Sequence, residues 1–279
     1  MLKVRNMSTS DFDFAVQITA EMGWGLGRSD FEFMLELEPD GSFVLNENST
    51  RIGIATTVSF GKIAWFGNLI VKESARGIGG GSMLVRHALE YLKSRKVSTV
   101  GLYAYMERIP FYQRLGFKAD LDFMVMKGRA FGSPSQSGVK RAEKEDFHGI
   151  IDFDESCFGE SRSKMLEPII SDPDDVAYVS VENDRIVGYS VAKVFGGMAE
   201  LGPIVCTKGK IKTALSLISA TLNDVRGHEA SIFVPENEVE MLSMLGKNGF
   251  RQAFRVKRMF NGPPITKDCF FIAESLERG

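Results

Sequence analysis

The sequence has few cysteines, little net charge and no long apolar runs. Its three cysteines, Cys157, Cys206 and Cys269, are widely and irregularly spaced, which predicts neither a disulfide framework nor a zinc site. The three histidines form no ligand cluster in the sequence, so no metal site is predicted. A formal net charge of -2 gives no electrostatic basis for binding nucleic acid or an anionic membrane.

No apolar stretch approaches the roughly 20 residues that a membrane-spanning helix needs. The segment Met1–Asn6 is polar and lacks the apolar core of a secretion signal. Hydrophobic residues make up 44% of the chain and charged residues 25%, as in ordinary globular proteins. The composition therefore predicts a reduced, cytoplasmic protein without a membrane partner. At roughly 150 residues per domain, the length predicts two domains.

The two halves of the chain share a pattern. Gly202, in Leu-Gly-Pro-Ile-Val, follows Gly67, in Phe-Gly-Asn-Leu-Ile-Val, by 135 positions, and Phe250 follows Phe117 by 133 positions. Between the halves, the stretch Gly128–Gly138 has few bulky apolar residues and is predicted to be a linker. The sequence thus predicts two copies of one fold, over residues 1–130 and 131–279.

The first copy alternates strand and helix patterns. Apolar residues recur at helical spacing from about Gly80 to Arg95, which predicts a long helix. Strands are predicted before this helix over Ile52–Phe60 and Ile63–Val71, and after it over Val97–Ala104. The turn that enters the long helix is rich in glycine.

This turn reads Arg76-Gly77-Ile78-Gly79-Gly80-Gly81. Glycines allow a backbone to approach a ligand closely, and the free N–H groups at a helix N-terminus favour a pyrophosphate. No Gly-Lys-Ser/Thr follows, which excludes a Walker loop, and Ser82 takes the last glycine position of a dinucleotide fingerprint. The turn fits the pattern R-x-x-G-x-G instead.

A second motif, Y-x-x-x-G-F, runs from Tyr112 to Phe117, and its Gly116 suits a left-handed helix cap. With the glycine turn, it resembles the GCN5-related N-acetyltransferase (GNAT) family. The whole chain resembles a two-domain type with an acetyltransferase domain first and a degenerate GNAT-like domain second. The resemblance implies an α/β (α+β) class: tandem GNAT folds, each a mixed, mostly antiparallel sheet flanked by helices.

The resemblance also implies the ligand and several of its contacts. The acyl donor would be acetyl-CoA, with its pyrophosphate on the glycine turn and its pantetheine arm along the preceding strand. Tyr112 would donate a proton to the departing thiolate. The implied cofactor contacts are Leu69, Ile70, Val71, Arg76, Gly77, Ile78, Gly79, Gly80, Gly81 and Ser82.

Two further residues are candidates for binding the acceptor. Trp24 lies in a glycine-rich break between two predicted helices, where it either lines a pocket or fills the core. Asn68 precedes the cofactor strand and either faces the acceptor or simply ends a strand. A general base is not identified, because Glu21, Glu73 and Glu107 are isolated acidic residues, which usually lie on the surface.

The predicted function is transfer of an acetyl group from acetyl-CoA to a primary amine of a small metabolite or amino acid, by direct attack in a ternary complex. The alternatives are a protein or peptide N-acetyltransferase and a non-catalytic acyl-CoA sensor. In the second copy, the corresponding turn Thr207–Lys212 has one glycine, so the second domain is predicted to lack the pyrophosphate loop. The sequence makes no prediction of oligomeric state.

Overall fold

The computed structural model describes residues 1–132, 138–265 and 269–279. In the first half, strands and helices follow the predicted order, and strand β4 has the predicted bounds. The elements are β1 (Leu2–Asn6), α1 (Phe12–Glu21), α2 (Arg28–Leu37), β2 (Ser42–Glu47), β3 (Thr50–Phe60), β4 (Ile63–Val71), α3 (Gly80–Ser94), β5 (Thr99–Tyr105), α4 (Ile109–Gln113) and β6 (Lys118–Arg129).

The second half repeats this order, as the shared pattern predicts, and adds a short strand after the repeat. Its elements are β7 (Lys140–Arg141), α5 (Lys144–Phe158), α6 (Ser163–Ser171), β8 (Val176–Glu182), β9 (Arg185–Phe195), β10 (Met198–Thr207), α7 (Ile211–Asp224), β11 (Glu229–Pro235), α8 (Val239–Lys247), β12 (Arg251–Asn261) and β13 (Cys269–Ile272).

All thirteen strands of the described residues belong to one sheet. Its order is β1-β2-β3-β4-β5-β12-β6-β11-β10-β9-β8-β7, with β13 paired to β10 outside this path. Most neighbours are antiparallel, while β4–β5 and β10–β11 are parallel. Helices flank this sheet, and the predicted mixed, mostly antiparallel architecture is confirmed.

The two halves exchange strands at the centre of this sheet. Strand β12, from the second half, pairs with β5 of the first half, whereas β6, from the first half, pairs with β11 of the second. The two exchanged strands also pair with each other. Each half therefore needs a strand from the other half to complete the centre of its sheet. The division into residues 1–130 and 131–279 stays a prediction.

The predicted linker is shorter than expected. Gly128 and Arg129 are the last residues of β6 and pair with Ala230 and Glu229 of β11. Residues 133–137 of this predicted linker lie outside the described residues. The local composition favoured a linker, but pairing with a distant strand extends β6 through the glycine.

The predicted apolar face of the long helix is confirmed. Within α3, Leu84, Val85, Ala88 and Leu92 are fully buried against the sheet, and Leu89 is partly buried in the same cluster. Burying a side chain such as leucine or valine contributes roughly 1.5–3 kcal/mol. This packing fixes the start of α3, and with it the glycine turn, above β4.

The prediction that no disulfide forms is wrong. Cys157, at the end of α5, and Cys269, at the start of β13, form a disulfide across 112 residues of sequence. Spacing along the chain could not indicate this bond, because the pairing of β13 with β10 brings the two cysteines together. Cys206 is free and buried.

Among the described residues, no helix is both long enough and apolar enough to span a bilayer. Nor do the ranges 1–132, 138–265 and 269–279 contain a group of three or more His, Cys, Asp or Glu side chains arranged to hold a metal ion.

Candidate active site

Strands β4 and β5 diverge into a fork. Their parallel pairing covers only Ile63–Trp65 and Thr99–Gly101. Beyond these residues the remainder of β4, which includes the predicted cofactor residues Leu69, Ile70 and Val71, pairs only with β3 on its other side. One edge of this strand therefore presents backbone groups to the opening, as an exposed sheet edge does.

A β-bulge lies at the point where the fork opens. The register of β3 with β4 shifts between the pairs Ile54–Ile70 and Thr56–Gly67, so that two residues of β4, Asn68 and Leu69, face one residue of β3. Asn68 has a left-handed backbone with φ of 50°. Bulges of this kind redirect backbone and side chains and are frequent beside active sites.

The Asn68 side chain is anchored within the protein. It is buried, and its Nδ2 donates hydrogen bonds to Thr56 Oγ1 at 3.1 Å and to Met34 Sδ at 3.3 Å. Asn68 also lines the cavity at the fork. The observed contacts hold the bulge, and the contact of Asn68 with an acceptor stays a prediction.

The glycine turn closes one end of the fork. Gly77 and Gly79 have φ of 85° and 89°, a backbone conformation that favours glycine. A Cβ on Gly80 would lie 2.6 Å from Leu45 Cδ2, so a side chain at this position would displace the buried Leu45. Arg76 Nε donates a hydrogen bond to the Val71 carbonyl at 3.1 Å and ties the turn to β4.

Helix α3 begins at Gly80, and its first intrahelical bond runs from Met83 N to Gly79 O. The N–H groups of the preceding residues therefore have no acceptor within the helix. Of the predicted turn residues, Arg76, Gly77, Gly79, Gly80, Gly81 and Ser82 line the cavity. Ile78 is the exception, since its side chain is half exposed and does not line the cavity.

Tyr112 lies on α4 at the same cavity. Its ring packs edge-on against Phe111 and Phe117. Gly116, with φ of 91°, ends the turn, and Phe117 N donates to Tyr112 O as in the predicted cap. The Tyr112 hydroxyl has no hydrogen-bond partner among the described residues. Burial raises the pKa of Tyr112 above its usual value, so the hydroxyl keeps its proton near neutral pH.

Trp24 lines the cavity together with Tyr105 of β5. Its Nε1 donates to Tyr105 Oη at 3.0 Å, and the two rings stack with centroids 6.4 Å apart. Trp24 also packs against the hydrophobic cluster of α1 and α2, so both alternatives describe part of its surroundings. Contact between Trp24 and an acceptor stays a prediction.

The cavity at the fork has a volume of about 1290 Å³ and extends into the second half of the chain. Sequence reasoning missed this part of the site, which carries a cluster of charged side chains. The lining members are Lys193 of β9, Glu200 of β10, and Glu277 and Arg278 of the segment after β13. Glu274 of the same segment does not line the cavity but pairs with Lys193 and Arg278. In the sequence, this cluster is indicated only by the charged residues that follow the apolar β13.

The second half contains an equivalent fork. Strands β10 and β11 pair over Met198–Leu201 and Glu229–Ile232 and then separate. Strand β13 pairs with Ile204–Thr207 of β10 at this opening. By the offset of 135 positions, Ile204 to Cys206 correspond to Leu69 to Val71. The chain's own strand thus occupies the edge that remains open in the first half.

Comparison with known proteins places both halves in one family. Residues 11–117 match the acetyltransferase (GNAT) family, and residues 150–269 match the acetyltransferase (GNAT) domain. The uncharacterized N-acetyltransferase YitH from Bacillus subtilis is 20% identical over 196 residues, which are 69% of this chain and 68% of YitH. The uncharacterized N-acetyltransferase MJ1207 from Methanocaldococcus jannaschii is 26% identical over 41% of this chain and 60% of its own length.

Solved structures share the fold over nearly the whole chain. A Pyrococcus horikoshii protein assigned as an acetyltransferase has a TM-score of 0.81 at 22% identity, covering 100% of this chain and 96% of that one. A tandem GNAT protein from the clavulanic acid biosynthesis pathway has a TM-score of 0.62 at 14% identity, covering 95% of this chain and 100% of that one. The chain therefore belongs to the GNAT family of acyltransferases and carries two GNAT domains in tandem.

Proposed function

We propose that this chain is an acetyl-CoA-dependent N-acetyltransferase that acts on a primary amine of a small metabolite or amino acid in a ternary complex. The observation that carries the proposal is the fork between β4 and β5. It has the glycine turn at one end, Tyr112 on its wall and residues of the second half around its inner part.

The fork suits the shape and charge of an acyl-CoA. The free N–H groups from Gly79 to Ser82 at the start of α3 would hold the pyrophosphate, and each charge-assisted hydrogen bond contributes roughly 1.5–3 kcal/mol. The open edge from Leu69 to Val71 would pair with the amide groups of the pantetheine arm. Bound in this way, acetyl-CoA supplies an acetyl group activated as a thioester.

The reaction requires one proton transfer from the acceptor amine and another to the leaving sulfur. An alkylamine has a pKa near 10.4, so only about one molecule in a few thousand is neutral at pH 7. The acceptor must therefore lose a proton before attack. The Tyr112 hydroxyl would donate its proton to the departing sulfur.

The second half supports a small acceptor over a protein. The cavity around the fork is lined from β9, β10 and the segment after β13 as well as from the first half. A polypeptide acceptor needs an open groove, whereas this inner part of the site is bounded by both halves. The peptide alternative remains an outcome of the activity test.

Replacing Gly81 with aspartate is expected to abolish acetyl-CoA binding without destabilising the protein. Gly81 is the second residue of α3, and a Cβ added at this position would lie 3.5 Å from Phe111 Cζ, an ordinary contact distance. A carboxylate in a first helical turn stabilises the helix by about 0.3–1 kcal/mol, but it would repel a pyrophosphate. The measurement is the shift in melting temperature on titration with acetyl-CoA.

The parent protein should gain roughly 2.7 kcal/mol at a hundredfold excess of acetyl-CoA over Kd, and Gly81→Asp should gain none. Gly81→Ala is the matched control. It adds the same Cβ without charge and should keep the shift. Equal shifts in the parent and in Gly81→Asp would contradict the placement of the pyrophosphate.

Activity is tested with a panel of amino acids, polyamines, amino sugars and N-terminal peptides, with thiol release from acetyl-CoA as the readout. Turnover of a small amine supports the proposal. Turnover of peptides alone would favour the protein acetyltransferase. Binding of acetyl-CoA without turnover on any amine would favour the sensor.

A further inference from the structure

Glu277 lies in the segment after β13 and packs directly on β4. A Cβ on Gly67 would lie 2.4 Å from Glu277 Cβ and 2.6 Å from Glu277 Cα. Gly67 immediately precedes the bulge at Asn68 and Leu69, where the fork opens. Glu277 also lines the cavity. The absence of a side chain at Gly67 thus allows this glutamate to reach the inner end of the fork.

The Glu277 carboxylate accepts no hydrogen bond from the residues that the structure describes. Its ion pair with Arg278 Nη1 spans 3.6 Å. Glu274 differs, because it accepts hydrogen bonds from Arg278 Nε at 2.8 Å and from Lys193. Glu274 and Glu200 together therefore balance the charges of Arg278 and Lys193, and the Glu277 carboxylate remains available to a ligand.

The surroundings of Glu277 favour its protonated form. Burial raises the pKa of Glu277 to about 7, and the nearby carboxylates of Glu200 and Glu274 act in the same direction. The cations Arg278 and Lys193 oppose this shift. A proton acceptor works best when its pKa lies near the working pH, and Glu277 meets this condition.

The acidic residues considered from the sequence do not compete for this role. Glu21, Glu73 and Glu107 are exposed, and none of them lines the cavity. We propose that Glu277 is the general base that takes a proton from the attacking amine. The inference rests on the proposed N-acetyltransferase function and names the residue that the sequence did not identify.

The acceptor enters as an ammonium ion and gives one proton to Glu277. Its nitrogen forms a bond to the thioester carbonyl carbon, the carbon–sulfur bond breaks, and Tyr112 gives a proton to the leaving sulfur. The second nitrogen proton passes through water to restore Tyr112, and Glu277 returns its proton to solvent. The products are the amide, the CoA thiol and one proton.

Glu277→Gln tests this assignment by kinetics. The substitution keeps the size of the side chain and removes its basicity. With the best amine of the panel, kcat is expected to fall about 10²-fold, while the Kd for acetyl-CoA stays within twofold. In the parent, activity is expected to rise with pH as Glu277 loses its proton, near pH 7, and this rise is expected to disappear in the variant. Glu107→Gln is the control and should keep both the kcat of the parent and its rise of activity with pH.

A second measurement requires no acceptor. Because the folded pKa of Glu277 lies above its value in the unfolded chain, the native state binds the proton more tightly. The parent therefore loses stability as pH rises through the folded pKa. Glu277→Gln avoids this loss, so its melting temperature should match the parent at pH 4 and exceed it at pH 8. A variant destabilised equally at both pH values would indicate a purely structural role.

The outcomes separate this inference from the proposed function. If the parent protein transfers acetyl to no amine, both the proposed function and the role of Glu277 are contradicted. An active parent whose Glu277→Gln variant keeps its kcat and its pH profile overturns the role of Glu277 alone. Loss of kcat with retained acetyl-CoA binding and higher stability at pH 8 supports it.

Discussion

Tyr112→Phe is expected to lower kcat about 10²–10³-fold and to leave the Kd for acetyl-CoA unchanged. The hydroxyl has no partner among the described residues, and burial holds its pKa above the usual value, so it is a protonated donor that lines the cavity. A thiol with a pKa near 8.5 is mostly protonated at neutral pH, so a proton donor assists the departure of the sulfur. General acid catalysis of such a step typically contributes 10²–10⁴-fold.

The removed oxygen makes no hydrogen bond within the described residues, so the variant should fold like the parent. The measurement is steady-state kinetics at saturating acetyl-CoA, together with the thermal shift for binding. Tyr178→Phe is a suitable control, because Tyr178 is a half-buried tyrosine of β8 that does not line the cavity. It should retain parental kcat.

A change of leaving group sharpens the test. With an acetyl thioester of a more acidic aryl thiol, the departing sulfur needs less help from a proton donor. The defect of Tyr112→Phe should therefore shrink with this donor. An equal defect with both thioesters would mean that Tyr112 positions the ligand and does not donate a proton.

Arg162→Met is expected to lower the free energy of unfolding by about 3–5 kcal/mol. Arg162 and Asp154 are completely buried and form two hydrogen bonds, from Nε to Oδ2 at 2.9 Å and from Nη2 to Oδ1 at 2.6 Å. Tyr189 Oη donates to Asp154 Oδ1 at 2.5 Å. Without the guanidinium, Asp154 would be a buried charge with one neutral donor.

The guanidinium also lies over the rings of Phe158 and Phe271 and donates to the Gly279 carbonyl at 2.6 Å. It thereby joins α5, β13 and the segment that carries Glu277. The measurement is chemical denaturation. The double variant Arg162→Met, Asp154→Leu should recover much of the loss, because a buried ion pair can often be replaced by apolar groups at little cost.

An exposed ion pair gives the comparison. Arg28 and Glu32 form an i,i+4 pair on α2 at 3.0 Å, with both side chains about half exposed. Arg28→Met should change the free energy of unfolding by less than about 1 kcal/mol. A loss for Arg162→Met no larger than this would contradict the structural role assigned to the buried pair.

The sequence predicted the parts of the site that local patterns encode. The bounds of β4, the apolar face of α3, the glycine turn and the cap at Gly116 all follow from rules that act within a few residues. Trp24 and Tyr112 also line the cavity, while their roles there stay predictions. These features depend on backbone conformation and periodicity, which a short stretch of sequence specifies.

The features that the sequence did not predict arise from pairing between distant strands. The exchange of β6 and β12, the disulfide between Cys157 and Cys269, and the placement of Glu277 beside Gly67 join residues from opposite ends of the chain. No periodicity distinguishes a strand that stays in its own half from one that crosses over. Glu277 could not be proposed as the general base from the sequence for the same reason, because it lies far along the chain from the first-half motifs.

The exchange of strands also bears on protein synthesis. A nascent chain that has emerged only as far as β6 carries the glycine turn and Tyr112, but β5 still lacks its neighbour β12. The fork and its proposed base are completed only when the ribosome has delivered β12 and the segment with Glu277. If the proposed base is required, an unfinished chain would lack catalytic competence until both segments have been translated.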